Sequence, residues 1–244
     1  PPPPPPFLHS VSATRDSSLR LVGSEMCIRD RVLADPERVA KSRQFPYRFW
    51  SAYKNVPSLE WAPTLEKALE LSVGNIPELP GRTLVLTDTS ASMTSPVSRR
   101  SKIRHFEIAA LFAAALAGKS NEVELVSFAT ESEMIPFRRR QSVLRTIERV
   151  ESRIGAVGHG TMLGRAVKRW YDGHDRVVVF SDMQTADQVP DLRGVPVYVF
   201  NTGGYRATPF AVGKAGHYEI GGFSDAAFRL MATLEDFHDA GWPF

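Results

Sequence analysis

Apolar and polar positions change rhythm partway along this chain. From residue 32 to about 75 they follow a helical period. Asp35-Pro36 supplies an N-cap followed by proline at the first helical position, which opens a short helix over about 36–43. Pro46 starts a second helix, with Phe49, Ala52, Tyr53 and Val56 on one face. Leu59, Ala62, Leu65, Ala68, Leu69 and Leu71 stripe a third that runs to about residue 73. These helices are too few to bury their own stripes, so they are expected to pack on a neighbouring unit. Tyr47, Trp50, Tyr53 and Trp61 are read as packing residues of that segment.

After "GNIPELPGR" (74–82), read as a linker, strand and helix alternate. The strands are expected at 83–87, 122–128, 176–181, 195–200 and 217–220, with a hairpin partner at 133–137. Helices are expected at 101–118, 139–153, 162–171 and 224–238, with a glycine-rich turn at 155–160. Strands such as "RVVVFS" are apolar almost throughout, as strands covered on both faces must be. The alternation predicts an α/β fold: a doubly wound, mostly parallel sheet over 76–244, preceded by a residual helical segment over 32–75. Residues 1–31 open with six prolines, sustain no period and are read as a disordered or non-native tail.

Composition narrows the function classes. Hydrophobic residues make up 43% of the 244, enough for one sizeable core. No apolar run reaches the eighteen residues of a membrane span, so no membrane partner is expected. The single cysteine, Cys27, allows no internal disulfide, and a cytoplasmic setting is expected. A net charge of +3 is compatible with a polyanionic partner without demanding one.

The chemistry gathers where "LVLTDTSASM" (84–93) leaves its strand. Asp88, Ser90 and Ser92 form a comb of oxygens at alternate positions. In a doubly wound sheet ligands sit beyond the carboxyl ends of the strands. Thr161 of "GHGTML" and Asp182 of "VFSDMQ" are expected at the same edge. The ordinary alternative is a hydrogen-bonded capping cluster. Two carboxylates and three hydroxyls without a Cys or His cluster disfavour zinc and copper and suit a hard divalent cation, magnesium or manganese. Beside the comb, "SPVSRRSKIRH" carries Arg99, Arg100, Lys102 and Arg104, which could grip phosphates at a helix start or simply be solvated. The arginines of "FRRRQ" with Arg145, Arg149 and Arg153 are read as a solvated face, diluted by Glu148 and Glu151. His159 is read as cover for its loop, and Gly203-Gly204 as a turn.

The D-x-S-x-S at 88–92, with Thr161 and Asp182, resembles the metal-ion-dependent adhesion site of von Willebrand factor type A domains. "LADPERVAKSRQFPYRFWSAYKNV", "LEKALELS" and "IPELPGRTLVLTDTSASM" resemble the junction between helical-repeat ring and A domain in TROVE proteins, the family of the sixty-kilodalton Ro ribonucleoprotein. The resemblance covers about 32–244 and implies binding of small non-coding or misfolded RNA by the intact protein. Most of the helical ring, which carries much of the family's RNA surface, is missing from this chain. A magnesium-dependent A domain docking an acidic protein ligand is the alternative. A phosphohydrolase with Asp88 as nucleophile lacks a D-x-D, a poised lysine and a phosphate loop, so no enzymatic activity is expected.

Overall fold

The structure, a computed structural model, describes residues 32–56, 59–138, 141–203, 216–221 and 226–239. The readings of 1–31, Cys27, Arg139, Arg140 and Gly204 lie outside them.

Three helices lead in: α1 (Pro36–Ser42), α2 (Pro46–Asn55) and α3 (Ala62–Ser72). Asp35 caps α1 as its sequence suggests, its carboxylate accepting the Arg38 N–H at 2.8 Å. The α/β unit follows, with β1 (Leu79–Asp88), α4 (His105–Ala117), β2 (Ser120–Phe128), β3 (Ser132–Met134) and α5 (Val143–Glu151). Then come α6 (Leu163–Trp170), β4 (Arg176–Ser181), β5 (Val197–Asn201), β6 (His217–Gly221) and α7 (Ala226–Asp239). The sheet order is β3-β2-β1-β4-β5-β6. All neighbours are parallel except β3, which runs antiparallel to β2. The fold is therefore the expected doubly wound α/β arrangement, and its order reverses between β1 and β4.

Several elements start elsewhere than the sequence suggests; α5, expected from 139, begins at Val143 behind its Ser142 cap. The segment read as a linker ends early: β1 begins at Leu79 and absorbs Pro80-Gly81 in a register shift between Leu79 and Arg82. Proline is tolerated there because a bulge needs no ladder donor. Helix α4 begins at His105, four residues after the expected start, because Pro96 and Arg104 bridge as an antiparallel pair. The Val97 N–H donates to the Ile103 carbonyl at 3.0 Å, which spends 96–104 on a hairpin.

Alternation along the strands divides the core into two layers. Leu84, Leu86, Val126, Phe128, Val177 and Val179 face α6. Val85, Leu125, Val178, Phe180 and Phe200 face α4. From Phe106 to Ala117 every residue of α4 is buried, since sheet lies on one side and the lead-in helices and α5 on the other. The lead-in thus shares the core of the α/β unit: Phe45 lies 5.5 Å from the Phe112 ring and 5.3 Å from Phe228. Phe112 is also within ring contact of Phe180 and Phe200. Polar links cross the same boundary. The Lys54 ammonium pairs with buried Glu107 at 2.7 Å, and Glu70 accepts the Val143 N–H at 2.5 Å.

Phe112→Ala removes the ring that joins sheet, lead-in and α7. It is expected to cost about 3–5 kcal/mol, read as a lowered midpoint in denaturant titration with an unchanged slope.

Candidate metal centre

Because β1 and β4 run parallel with Thr87 opposite Phe180, Asp88 and Ser181 leave the sheet side by side at its carboxyl edge. Asp88 is fully buried. Its Oδ1 accepts the Ser90 N–H at 2.8 Å, and its Oδ2 accepts the Ser181 hydroxyl at 2.6 Å. The first of these bonds bends the chain so that Ser90 Oγ comes within 3.1 Å of Ser92 Oγ. Ser90 is buried and Ser92 half-buried.

Asp182, also buried, follows the last residue of β4 and lies close enough to Asp88 to disfavour its charge. The chain turns sharply behind it. Met183 takes a left-handed conformation (φ 73), the Met183 N–H donates to Ser181 Oγ at 3.1 Å, and the Gln184 N–H donates to Asp182 Oδ1 at 3.2 Å. A buried side chain in that backbone region is strained, and such strain gathers at functional sites.

The glycine loop arrives from the other side. The Ala91 N–H donates to the His159 carbonyl at 3.3 Å, fastening the loop to the comb. The Thr161 carbonyl accepts the Ala186 N–H at 2.9 Å and the Thr185 hydroxyl at 3.2 Å, fastening it to the segment after β4. Gly158 is required here: its φ is 96°, and a Cβ would come within 2.6 Å of Thr130. Thr130 in turn accepts the Gly160 N–H at 3.1 Å. Thr161 is buried, whereas the His159 side chain faces solvent.

The three loops carrying Asp88, Ser90, Ser92, Thr161 and Asp182 thus meet at one rim, at the switch point of the sheet. Burial pushes the Asp88 carboxyl up to about 6, against the hydrogen bonds from Ser181 and Ser90 that favour its charge. His105 lies beside Asp182 and hydrogen-bonds the Thr202 backbone, yet burial holds it below the usual histidine range. Neither Asp88 nor Asp182 pairs with a lysine or arginine among the described residues. Two buried carboxylates without a cation, edged by hydroxyls, make a donor set that fits a hard divalent ion. No group of three or more His, Cys, Asp or Glu suited to a metal occurs among the described residues.

The basic quartet follows directly on the comb in the chain. Arg99, Arg100 and Lys102 are exposed on the 96–104 hairpin, not at a helix start as expected. Arg104 is exposed at the N-cap of α4, and its N–H donates to Glu107 at 2.8 Å. Several supporting residues escaped the sequence reading. Ser181 is legible only once the β1–β4 register is known. Asp187 accepts the Gly164 and Arg165 N–H groups at 2.9 and 2.7 Å and so caps α6 from another loop. Nothing in local spacing marks either.

No family model matches the chain, and no curated protein matches it in sequence. Solved structures do. The Ro (RSR) protein of Deinococcus radiodurans is similar at a TM-score of 0.67 and 16% identity, over 92% of this chain and 49% of that one. An aerotolerance-related membrane protein of Bacteroides fragilis reaches 0.39 at 16% identity, over 64% of this chain and 88% of that one. The conserved hypothetical protein BatB of Bacteroides thetaiotaomicron reaches 0.42 at 15% identity, over 66% and 99%. The latter two scores are too low to carry an argument. The likeness to Ro shows a shared fold, and its coverage is too large for the α/β part alone, so it takes in lead-in helices. This chain spans about half the length of that Ro protein.

Folded Asp88 holds its proton to about pH 6, whereas its ordinary value is 3.8. Between these values the folded state binds more protons than the unfolded state, so stability falls as pH rises through the window. In chelator-treated protein this contribution is fully present below the window. It is expected to be lost by pH 7, at a cost on the order of 2 kcal/mol. Asp88→Asn should remove that share of the pH dependence, measured as the difference between wild-type and variant unfolding curves from pH 4 to 7.

Proposed function

We propose that this chain is part of an RNA-binding ribonucleoprotein component of the Ro type, with a metal-ion-dependent site at the carboxyl edge of its sheet. The observation that carries the reading is the meeting of the Asp88–Ser92 comb, the Thr161 loop and the Asp182 turn around two buried carboxylates that have no lysine or arginine partner among the described residues. Asp88, Ser90, Ser92, Thr161 and Asp182 would hold the ion, magnesium or manganese. Such an ion supplies positive charge and an open position for an acidic group of a partner. The site is read as one for binding, not catalysis. Both Asp88 oxygens already accept hydrogen bonds, which suits a fixed ligand better than a nucleophile. The likeness to Ro supports the architecture of helical lead-in and α/β unit, and the exposed cations of the 96–104 hairpin offer phosphate contacts beside the comb.

A second reading has its own support. The chain spans 49% of the Ro protein, and the sequence resemblance assigns much of the RNA surface to helices outside this chain. A magnesium-dependent A domain that docks an acidic protein ligand uses the same five residues. A capture that requires magnesium and survives nuclease favours it over the first.

Magnesium or manganese is expected to raise the melting temperature of the wild-type chain and to give a single-site isotherm in calorimetry. Asp88→Ala and Asp182→Ala should abolish both effects while leaving the circular dichroism spectrum unchanged; a wild-type chain that takes up neither ion overturns the metal site.

RNA titrated at several salt concentrations against a form carrying the full helical ring should show log Kd rising with log salt. Arg99→Ala with Arg100→Ala should reduce the slope by about 2; a slope near zero removes the phosphate argument.

A further inference from the structure

We propose that the free edge of β2 binds an extended, acidic segment of a partner protein as an added strand. The short β3 pairs only with Val126–Phe128, the last three residues of β2. One more bond, from the Ile135 N–H to the Leu125 carbonyl at 2.7 Å, closes the ladder. At Pro136, whose backbone groups face away from β2, the ladder ends, and the Pro136 carbonyl accepts from the Arg149 guanidinium. The chain therefore swings away from β2, and no described strand continues along Val123. Backbone groups alternate sides along a strand. Because the Leu125 carbonyl points outward, the N–H and C=O of Val123 point outward as well.

The gap left by this divergence is a groove of about 850 Å³ between β2, residues 134–138 and the first turns of α5. That is the size of a ligand site. Its floor is apolar, with Val123, Leu125, Ile135 and Phe137, and Met134 stands 44% exposed at its rim. One wall is basic: Arg138 and Arg145 are exposed and line the groove with Arg149. Glu124 does not offset them, since it is engaged by Arg82 at 3.5 Å. A strand edge, an apolar floor and a cationic wall together fit a peptide in which carboxylates alternate with apolar side chains, since a strand turns successive side chains to opposite faces. A nucleic acid would use the arginines but would leave the strand edge unpaired.

The test is fluorescence anisotropy of the full chain with a labelled peptide of about ten residues alternating valine and glutamate, a length that spans a typical strand. Saturable binding is expected. Arg138→Glu with Arg145→Glu, both exposed and so without effect on melting temperature, should weaken it at least tenfold. N-methylation of the peptide at one alternate set of amides should weaken it equally, and at the other set should not. Replacing glutamate by lysine in the peptide should abolish binding. The proposal is overturned if the glutamate peptide fails to bind or if neither methylated set loses affinity. It is also overturned if an oligouridylate of equal charge binds more tightly and responds to the same arginine variants.

Discussion

Two carboxylates held close together out of water are the constraint around which the carboxyl edge of this sheet is organised. Burial disfavours the charge of Asp88, and the neighbouring Asp182 adds to that. The structure meets that cost locally with hydrogen bonds: the Ser90 N–H and the Ser181 hydroxyl on Asp88, and the Gln184 N–H on Asp182. Among the described residues it supplies no lysine or arginine partner. Left to stability alone, a sheet edge would bury apolar groups or pair its acids, and this is the physical ground on which an ion is proposed there.

The lead-in helices are joined to that edge through packing and through polar contacts. Phe45 and Trp50 pack into the layer that holds α4, and α4 begins directly beneath the comb. Glu107 sits at the junction: one oxygen accepts the Lys54 ammonium from α2, the other the Arg104 N–H that ends the basic hairpin. A shift of α2 would therefore reach the hairpin through a single buried carboxylate. The groove beside β2 is a different kind of surface, at the lateral edge of the sheet, and owes nothing to the comb. It lies where the chain leaves the β2 ladder after Ile135 and the Pro136 carbonyl accepts from Arg149.

Much of the framework could be read from pattern. The apolar run "RVVVFS" maps onto β4 without error, Asp35 caps α1, and α6 follows its apolar spacing closely. The errors fall where one residue type serves two structures. Pro80-Gly81 signals a turn in isolation but sits in a bulge of β1, and Ser98 to Arg104 carries polar and basic residues that fit a helix start or a hairpin equally well. At the site, the residues with oxygen-rich local motifs were visible, while Ser181 and Asp187 were not, because their partners lie 93 and 23 residues away.

By itself the sequence determined the alternation of strand and helix, the two-faced burial of the strands, the helical lead-in and the donor types of the candidate metal centre. These follow from side-chain period and from the chemistry of single residues, both of which are local. Tertiary structure alone decided that β4 lies next to β1, so that Asp182 stands beside Asp88, and that β3 pairs with only the last three residues of β2. Strand order and register depend on contacts between segments dozens of residues apart, and no local pattern encodes which strands become neighbours.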